Sequence, residues 1–173
     1  LKAANFEPEE NKKWFLYDAA ATVADKMNNK TEKATILQMI VDKKTKPTST
    51  DYFKCGTTWY LAGNYTKAIP VLTTYAEKYP TDWRPSIWLA RSHAQIDTTM
   101  ELGAAVPYYE KALSLFPNDK STVTLQVEAN MYLFAYTYNI KKNKKAAIEY
   151  LDKVLLIDPN NANAKKYKEM LSN

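Results

Sequence analysis

Three stretches of the chain share one layout of apolar and polar positions: Ala68-Ile-Pro-Val-Leu to Tyr79-Pro80, Ala105-Val-Pro-Tyr-Tyr to Phe116-Pro117, and Ala147-Ile-Glu-Tyr-Leu to Asp158-Pro159. In each, a small residue opens an apolar run at helical spacing, and a proline stops it twelve residues later. Pro70 and Pro107 also share a slot, two residues after the opening alanine. Self-similarity on this scale predicts stacked helical hairpins, because one hairpin cannot bury its apolar face alone. Long Val/Ile/Thr alternations are absent and glycines number 3, which argues against strands.

Upstream of Ala68 lie Tyr65, Gly63, Trp59, Gly56, Cys55 and Tyr52. This order resembles the tetratricopeptide repeat, W-x2-L-G-x2-Y then A-x3-F then P over about 34 residues. Tyr52 stands for the first aromatic, Cys55 for the leucine, Gly56 for the glycine and Trp59 for the tyrosine; Ala68, Leu72 and Pro80 complete the unit, 49–82. The next unit, 83–119, has Leu89, Ala90 and His93, then Ala105, Tyr109, Ala112 and Pro117 after three extra residues near Asp97. The last runs from Glu128 to Asn161, with Met131, Phe134, Ala135 and Tyr138 followed by Ala147, Leu151, Val154 and Pro159. Lys120 to Val127 carry no breaker and are expected to lengthen its first helix, giving 120–161. A degenerate copy at 15–48 places Ala21, Thr22 and Ala34 on the small-residue slots.

The resemblance implies an all-α, right-handed α-α superhelix, a tetratricopeptide solenoid of about four hairpins, forming one domain over 1–173. Hairpins are expected at about 15–44, 49–79, 83–116 and 120–157, with a Lys-rich capping helix at 162–172. Pro8-Glu9-Glu10 reads as the first turn of a helix reaching Met27, and Leu1 to Asn5 as a loose end. Pro70 and Pro107 are expected beyond the first turn of their helices, where each removes a hydrogen bond and bends the helix.

Composition supplies little for catalysis. His93 is the only histidine and occupies a packing slot, so no triad is available. One cysteine and one histidine exclude a histidine/cysteine metal cluster, and Gly56, Gly63 and Gly103 are too isolated for a phosphate loop. The reading is therefore not an enzyme, with no cofactor and no metal. No run of apolar residues is long enough for a transmembrane segment. Cys55 can form no internal disulfide and is expected to be packed.

The net charge of +5 comes from 22 lysines and two arginines against 19 acids. Lys141-Lys142-Asn143-Lys144-Lys145 falls on a turn and reads as solvated. The rival reading, contact with nucleic acid or acidic lipid, is disfavoured by the scarcity of arginine and the lack of a basic stripe over several units.

In proteins this chain resembles, the first helix of each hairpin lines a concave groove that takes a protein or peptide. Transferred to this sequence, the groove would hold Leu16, Ala19 and Val23, then Phe53, Thr57 and Tyr60, then Arg84, Ile87 and Arg91, then Tyr132, Tyr136 and Asn139; Phe53 and Ile87 are equally placed to pack between helices. Tyr132 and Tyr136, one turn apart, are expected to face solvent together. Arg84 and Arg91, seven apart, could hold a carboxylate between them. The family's chaperone-tail clamp is absent, since its positions hold Phe53, Thr57, Trp88, Ala129 and Leu133. The expected function is a non-catalytic protein- or peptide-binding scaffold. The alternatives are an interaction domain cut from a larger envelope protein or enzyme, or a carbohydrate- or nucleic-acid-binding module. The three-residue insertion and the Pro107-Tyr-Tyr-Glu-Lys111 stretch are similar to bacterial cell-envelope members of the family, which inclines the placement to the periplasm or envelope. Oligomeric state is open.

Overall fold

An asparagine placed after a left-handed residue starts the second helix of three hairpins. In the computed structural model, which describes residues 2–3, 9–117 and 119–172, Asn28, Gly63 and Lys142 have φ of 54°, 74° and 52°. Each is followed by an N-capping asparagine. Asn29 accepts from the Glu32 amide at 3.0 Å, Asn64 from Lys67 at 3.2 Å and Asn143 from Ala146 at 3.0 Å. The left-handed residue reverses the chain, and the asparagine oxygen satisfies an amide that the new helix leaves without a partner.

The hairpins so formed pair α1 (Glu10–Lys26) with α2 (Lys30–Lys43), α3 (Ser49–Leu61) with α4 (Tyr65–Lys78), and α7 (Val123–Asn139) with α8 (Lys144–Ile157). A third pair, α5 (Arg84–Ile96) and α6 (Val106–Leu115), precedes α7, and α9 (Ala162–Ser172) ends the chain. Every regular element among the described residues is helical, so the fold is all-α: four hairpins and a final helix. Pro8, and residues 1 and 4–5 of the expected loose end, lie outside the described residues.

α3 has the strongest start. Thr48 and Asp51 form a capping box, and Lys44 Nζ reaches Asp51 at 2.8 Å. Burial pushes the Asp51 carboxyl up, but the bonds from Lys44 and Thr48 outweigh it and hold it below its ordinary value.

The third hairpin departs from the pattern, and the three extra residues are the reason. Its turn has no capping asparagine. Instead the buried Asp97 carboxylate accepts the Leu102 and Ala104 amides at 3.4 and 3.2 Å, while Met100 and Gly103 are left-handed. This longer turn delays α6 until Val106, so Pro107 sits in the first turn, where its missing N–H costs nothing. The expected bend at Pro107 is thus not found, whereas Pro70 does lie inside α4. A second difference is at Lys120–Thr122, which forms a separate 3-10 turn and does not extend α7; Asp119 accepts from the Ser121 amide and tightens it.

The chain divides into two compact units, 1–80 and 81–173. In the first, Gly56, Ala68, Leu72 and Tyr75 are buried on α3 and α4, while the buried Cys55 Sγ and Trp59 Nε1 donate to Gln38 of α2 at 3.4 and 3.0 Å. A Cβ on Gly56 would meet Leu72 Cδ2 at 2.5 Å, so the two helices touch there. Burial, with the nearby Asp42 charge second, pushes the Cys55 thiol up to about 12. The second unit has two apolar clusters. One centres on Ile87, Ala90, Tyr109, Ala112 and Leu133, the other on Phe134, Ala147, Leu151, Val154 and Ala164. His93 stacks on Tyr108 with ring centroids 4.8 Å apart, a packing role.

Three outcomes test this packing. Gly56→Ala and Ala68→Leu should each cost about 1–3 kcal/mol in a denaturant melt, because neither site has room for added carbon; wild-type midpoints would refute the helix contact. Lys142→Gly should add about 0.5–1 kcal/mol, since a lysine is strained at positive φ and glycine is not; a loss would show that the turn needs the lysine. Burial lowers the pKa of His93. The unfolded chain then binds the proton more readily, so the contribution of His93 is present above about pH 6.5 and lost as pH falls through the folded pKa. As the only histidine, it should dominate the fall in stability from pH 7 to 5, and His93→Phe should flatten that slope; a midpoint by NMR at or above the free value would refute this.

Candidate functional site

The side chains singled out from the sequence divide by what the hairpins do with them. In the second unit, Arg91 of α5 makes a two-pronged contact with Glu128 of α7: Nε to Oε1 at 2.8 Å and Nη2 to Oε2 at 2.5 Å. The guanidinium also lies 4.7 Å above the Trp88 ring. Glu128 accepts a third bond, at 3.3 Å, from the hydroxyl of Tyr109 on α6. Burial and the adjacent carboxylate raise the Tyr109 pKa. Three helices are therefore clamped by one carboxylate. Arg91 and Glu128 are 37 residues apart, about one repeat. Lys54 of α3 and Asp18 of α1, 36 apart, are paired in the first unit at 3.3 Å. Consecutive first helices thus carry an ion pair in both units, two-pronged and partly buried in the second, single and exposed in the first.

Arg84 and Arg91 do not converge on a shared carboxylate. Asp82 holds Arg84 at the start of α5 through Nε at 2.9 and 3.0 Å and Nη2 at 2.6 Å. Ile87 is a core residue, 1% exposed, and is closed to a partner. Tyr132 and Tyr136 do not face solvent as a pair. The Tyr132 ring packs on Tyr109, 4.6 Å between centroids, and its hydroxyl is buried. Burial, then Asp97 and Tyr136, raises its pKa. Tyr136 lies on the long turn of the third hairpin, where a Cβ on Gly103 would come within 2.6 Å of its hydroxyl. That turn is the product of the insertion, which is why simple helical spacing misplaces both tyrosines.

In the first unit, Thr57 is buried and donates its hydroxyl to the Phe53 carbonyl at 2.7 Å. Phe53 and Tyr60 are half-buried, and Tyr60 packs 5.3 Å from Tyr65. Leu16 is half-buried; Ala19 and Val23 are exposed. Ala129 and Leu133 are core residues. The lysines of the 141–145 turn are exposed.

Asn139 is exposed and lines a pocket the sequence reading missed. α7 and α9 enclose about 270 Å³ between Met131, Phe134, Tyr138 and Asn139 on one side and Tyr167 and Met170 on the other. Phe134 is the floor, 6.2 Å from the Tyr138 ring and 5.3 Å from Tyr167. Tyr138, Tyr167 and Met170 remain 40%, 38% and 62% exposed, a concentration of apolar area open to solvent. Lys168 pairs with Asp152 at 2.5 Å and fastens α9 to α8. The available signal was Phe134 and Tyr138 at i, i+4 facing Tyr167 and Met170 at i, i+3. The lysines of α9 mask this signal, because they mark the helix as a polar cap.

A family profile described as Tetratricopeptide repeat matches residues 129–161. No curated protein matches the chain. Among solved structures, the C-terminal part of a TPR repeat-containing protein from Cytophaga hutchinsonii superposes with a TM-score of 0.82 at 23% identity. That match covers 91% of this chain and 60% of the other, so this chain spans about three fifths of its neighbour's length. YrrB, described as a TPR protein with an unusual peptide-binding site, gives a TM-score of 0.64 at 19% identity, covering 88% of this chain and 73% of that one. MamA from Desulfovibrio magneticus gives 0.63 at 16%, covering 91% and 82%. Residues 129–161 match the tetratricopeptide repeat, and the four hairpins share their fold with these tetratricopeptide-repeat structures.

Proposed function

We propose that the chain is a non-catalytic scaffold for protein interaction, and that it holds a segment of a partner protein on the first-helix side of its second unit. The observation that carries this reading is the α7–α9 pocket, with exposed Tyr138, Tyr167 and Met170 around a Phe134 floor. Aromatic and methionine side chains around a small concavity form an anchor site for one apolar side chain of a partner. Asn139 at the rim supplies an amide for the partner's backbone. The description of YrrB as peptide-binding is compatible with this use of the fold. The arginines have a different part: Arg91 holds α5 to α7 through Glu128, which fixes the helix bearing the pocket.

The test is selection of peptides from a random dodecapeptide phage library on the intact chain, followed by affinity measurement in solution. Tyr138→Ser and Met170→Ser should each weaken the selected peptides about thirtyfold, the scale of a hot-spot truncation. Met170 is exposed, so Met170→Ser should leave melting unchanged, whereas Tyr138 stacks on Phe134 and its truncation should lower the midpoint slightly. Lys144→Ala, on the outer turn, should change affinity little. Peptides that respond to Lys144→Ala and ignore both pocket variants would overturn the site.

A further inference from the structure

α7 has the highest mean hydropathy among the described helices, yet a polar stripe runs from the turn before it to the buried Asn130. Thr122, Gln126 and Asn130, at i, i+4 and i+8, form a ladder. Asn130 Nδ2 donates to the Gln126 carbonyl at 2.8 Å, Gln126 Nε2 to Thr122 Oγ1 at 2.9 Å, and Thr122 Oγ1 to the Pro117 carbonyl at 3.3 Å. The ladder ends on Asn130 Oδ1, which is buried and has no hydrogen-bond partner among the described residues; the residue is 2% exposed. A buried acceptor without a partner is costly, and an apolar residue there would avoid the cost.

Asn130 and Gln126 form the floor of a groove of about 630 Å³ between α6 and α8. Its walls are Leu113 on α6 and Leu156 and Ile157 on α8. Leu156 is 85% exposed, the most exposed large apolar residue among those described. Lys120 and Lys153 stand on the rim. The one acid there, Asp119, is engaged by the amide and hydroxyl of Ser121. The groove thus combines an enclosed, unpartnered acceptor beneath its floor, aliphatic walls and a rim of two lysines against one carboxylate.

We propose that this groove is a second docking site, for an acidic segment of a partner protein bound in extended form. The Asn130 side chain turns into the groove so that its Oδ1, enclosed in the free chain, accepts a backbone N–H of the segment; an aliphatic side chain packs on Leu156 and Leu113, and carboxylates meet Lys120 and Lys153. An extended chain suits the floor because its amides are not already used within a helix. The charge of the rim selects an acidic segment over a basic one. The site is separate from the α7–α9 pocket and stands whether or not that pocket binds.

The experiment is a titration of the intact 15N-labelled chain with two synthetic peptides of one Leu/Val pattern. One carries Glu at its polar positions and the other Lys. The Glu peptide should shift the Asn130 side-chain amide and backbone signals of α6 and α8 saturably. Lys153→Glu should weaken it at least tenfold. Asn130→Leu should weaken it as much while leaving the Tm at or above that of the parent, because the amide serves the ligand and not the fold. Tyr138→Ser should leave this binding unchanged. The proposal is overturned if the Lys peptide binds equally, if the shifts map to Tyr138 and Tyr167, if no saturable shift occurs at millimolar peptide, or if Asn130→Leu lowers the Tm.

Discussion

Everything in this molecule depends on helices being able to touch at small residues. Ala34, Ala68, Ala90, Ala105, Ala112, Ala129, Ala147 and Ala164 have no exposed surface at all, and Gly56 leaves no space for a Cβ beside Leu72. Ala34, Ala68, Ala105 and Ala147 open the apolar run of the second helix in each hairpin. An alanine there brings two backbones close enough for the larger neighbours, Trp59, Leu72, Tyr75 and Leu151, to close over the contact. The hairpin is thus defined by where bulk is missing, and the large residues follow from it.

Close contact also sets the demands on the turns. Helices held so tightly need a short reversal, and three hairpins use a left-handed residue and a capping asparagine. The third accommodates three extra residues by folding its turn around the Asp97 carboxylate. The consequences spread outward. Pro107 moves into a tolerated position, and Gly103 gives Tyr136 a surface to rest on. A local insertion therefore reassigns a tyrosine of the next hairpin from open face to support.

The same logic separates supporting residues from available ones. Charged side chains that seemed suited to a ligand, Arg84 and Arg91, satisfy carboxylates of their own chain, and doing so fixes α5 and α7. Such partly buried, two-pronged pairs position helices well because the planar guanidinium matches a carboxylate in one orientation. Surfaces left open in the second unit include the α7–α9 pocket and the α6–α8 groove. Neither coincides with the arginine positions.

By itself the sequence determined the fold class, the four hairpins, the final helix and the burial of Cys55, Ala68 and Leu72. These rest on spacing within about one repeat, and spacing is local information: small residues, prolines and capping asparagines act on their immediate neighbours. Tertiary structure alone decided which polar and aromatic side chains face outward. Arg91 could be placed on a helix face from its number, but Glu128, 37 residues away, determined that it is occupied. Ile87 fell on a groove position by register and is in the core because α6 and α7 cover it. The α7–α9 pocket needed two segments about 30 residues apart to meet at a depth that no periodicity encodes. Availability to a partner is a property of what remains uncovered after packing, and a linear pattern lists each helix without its covers.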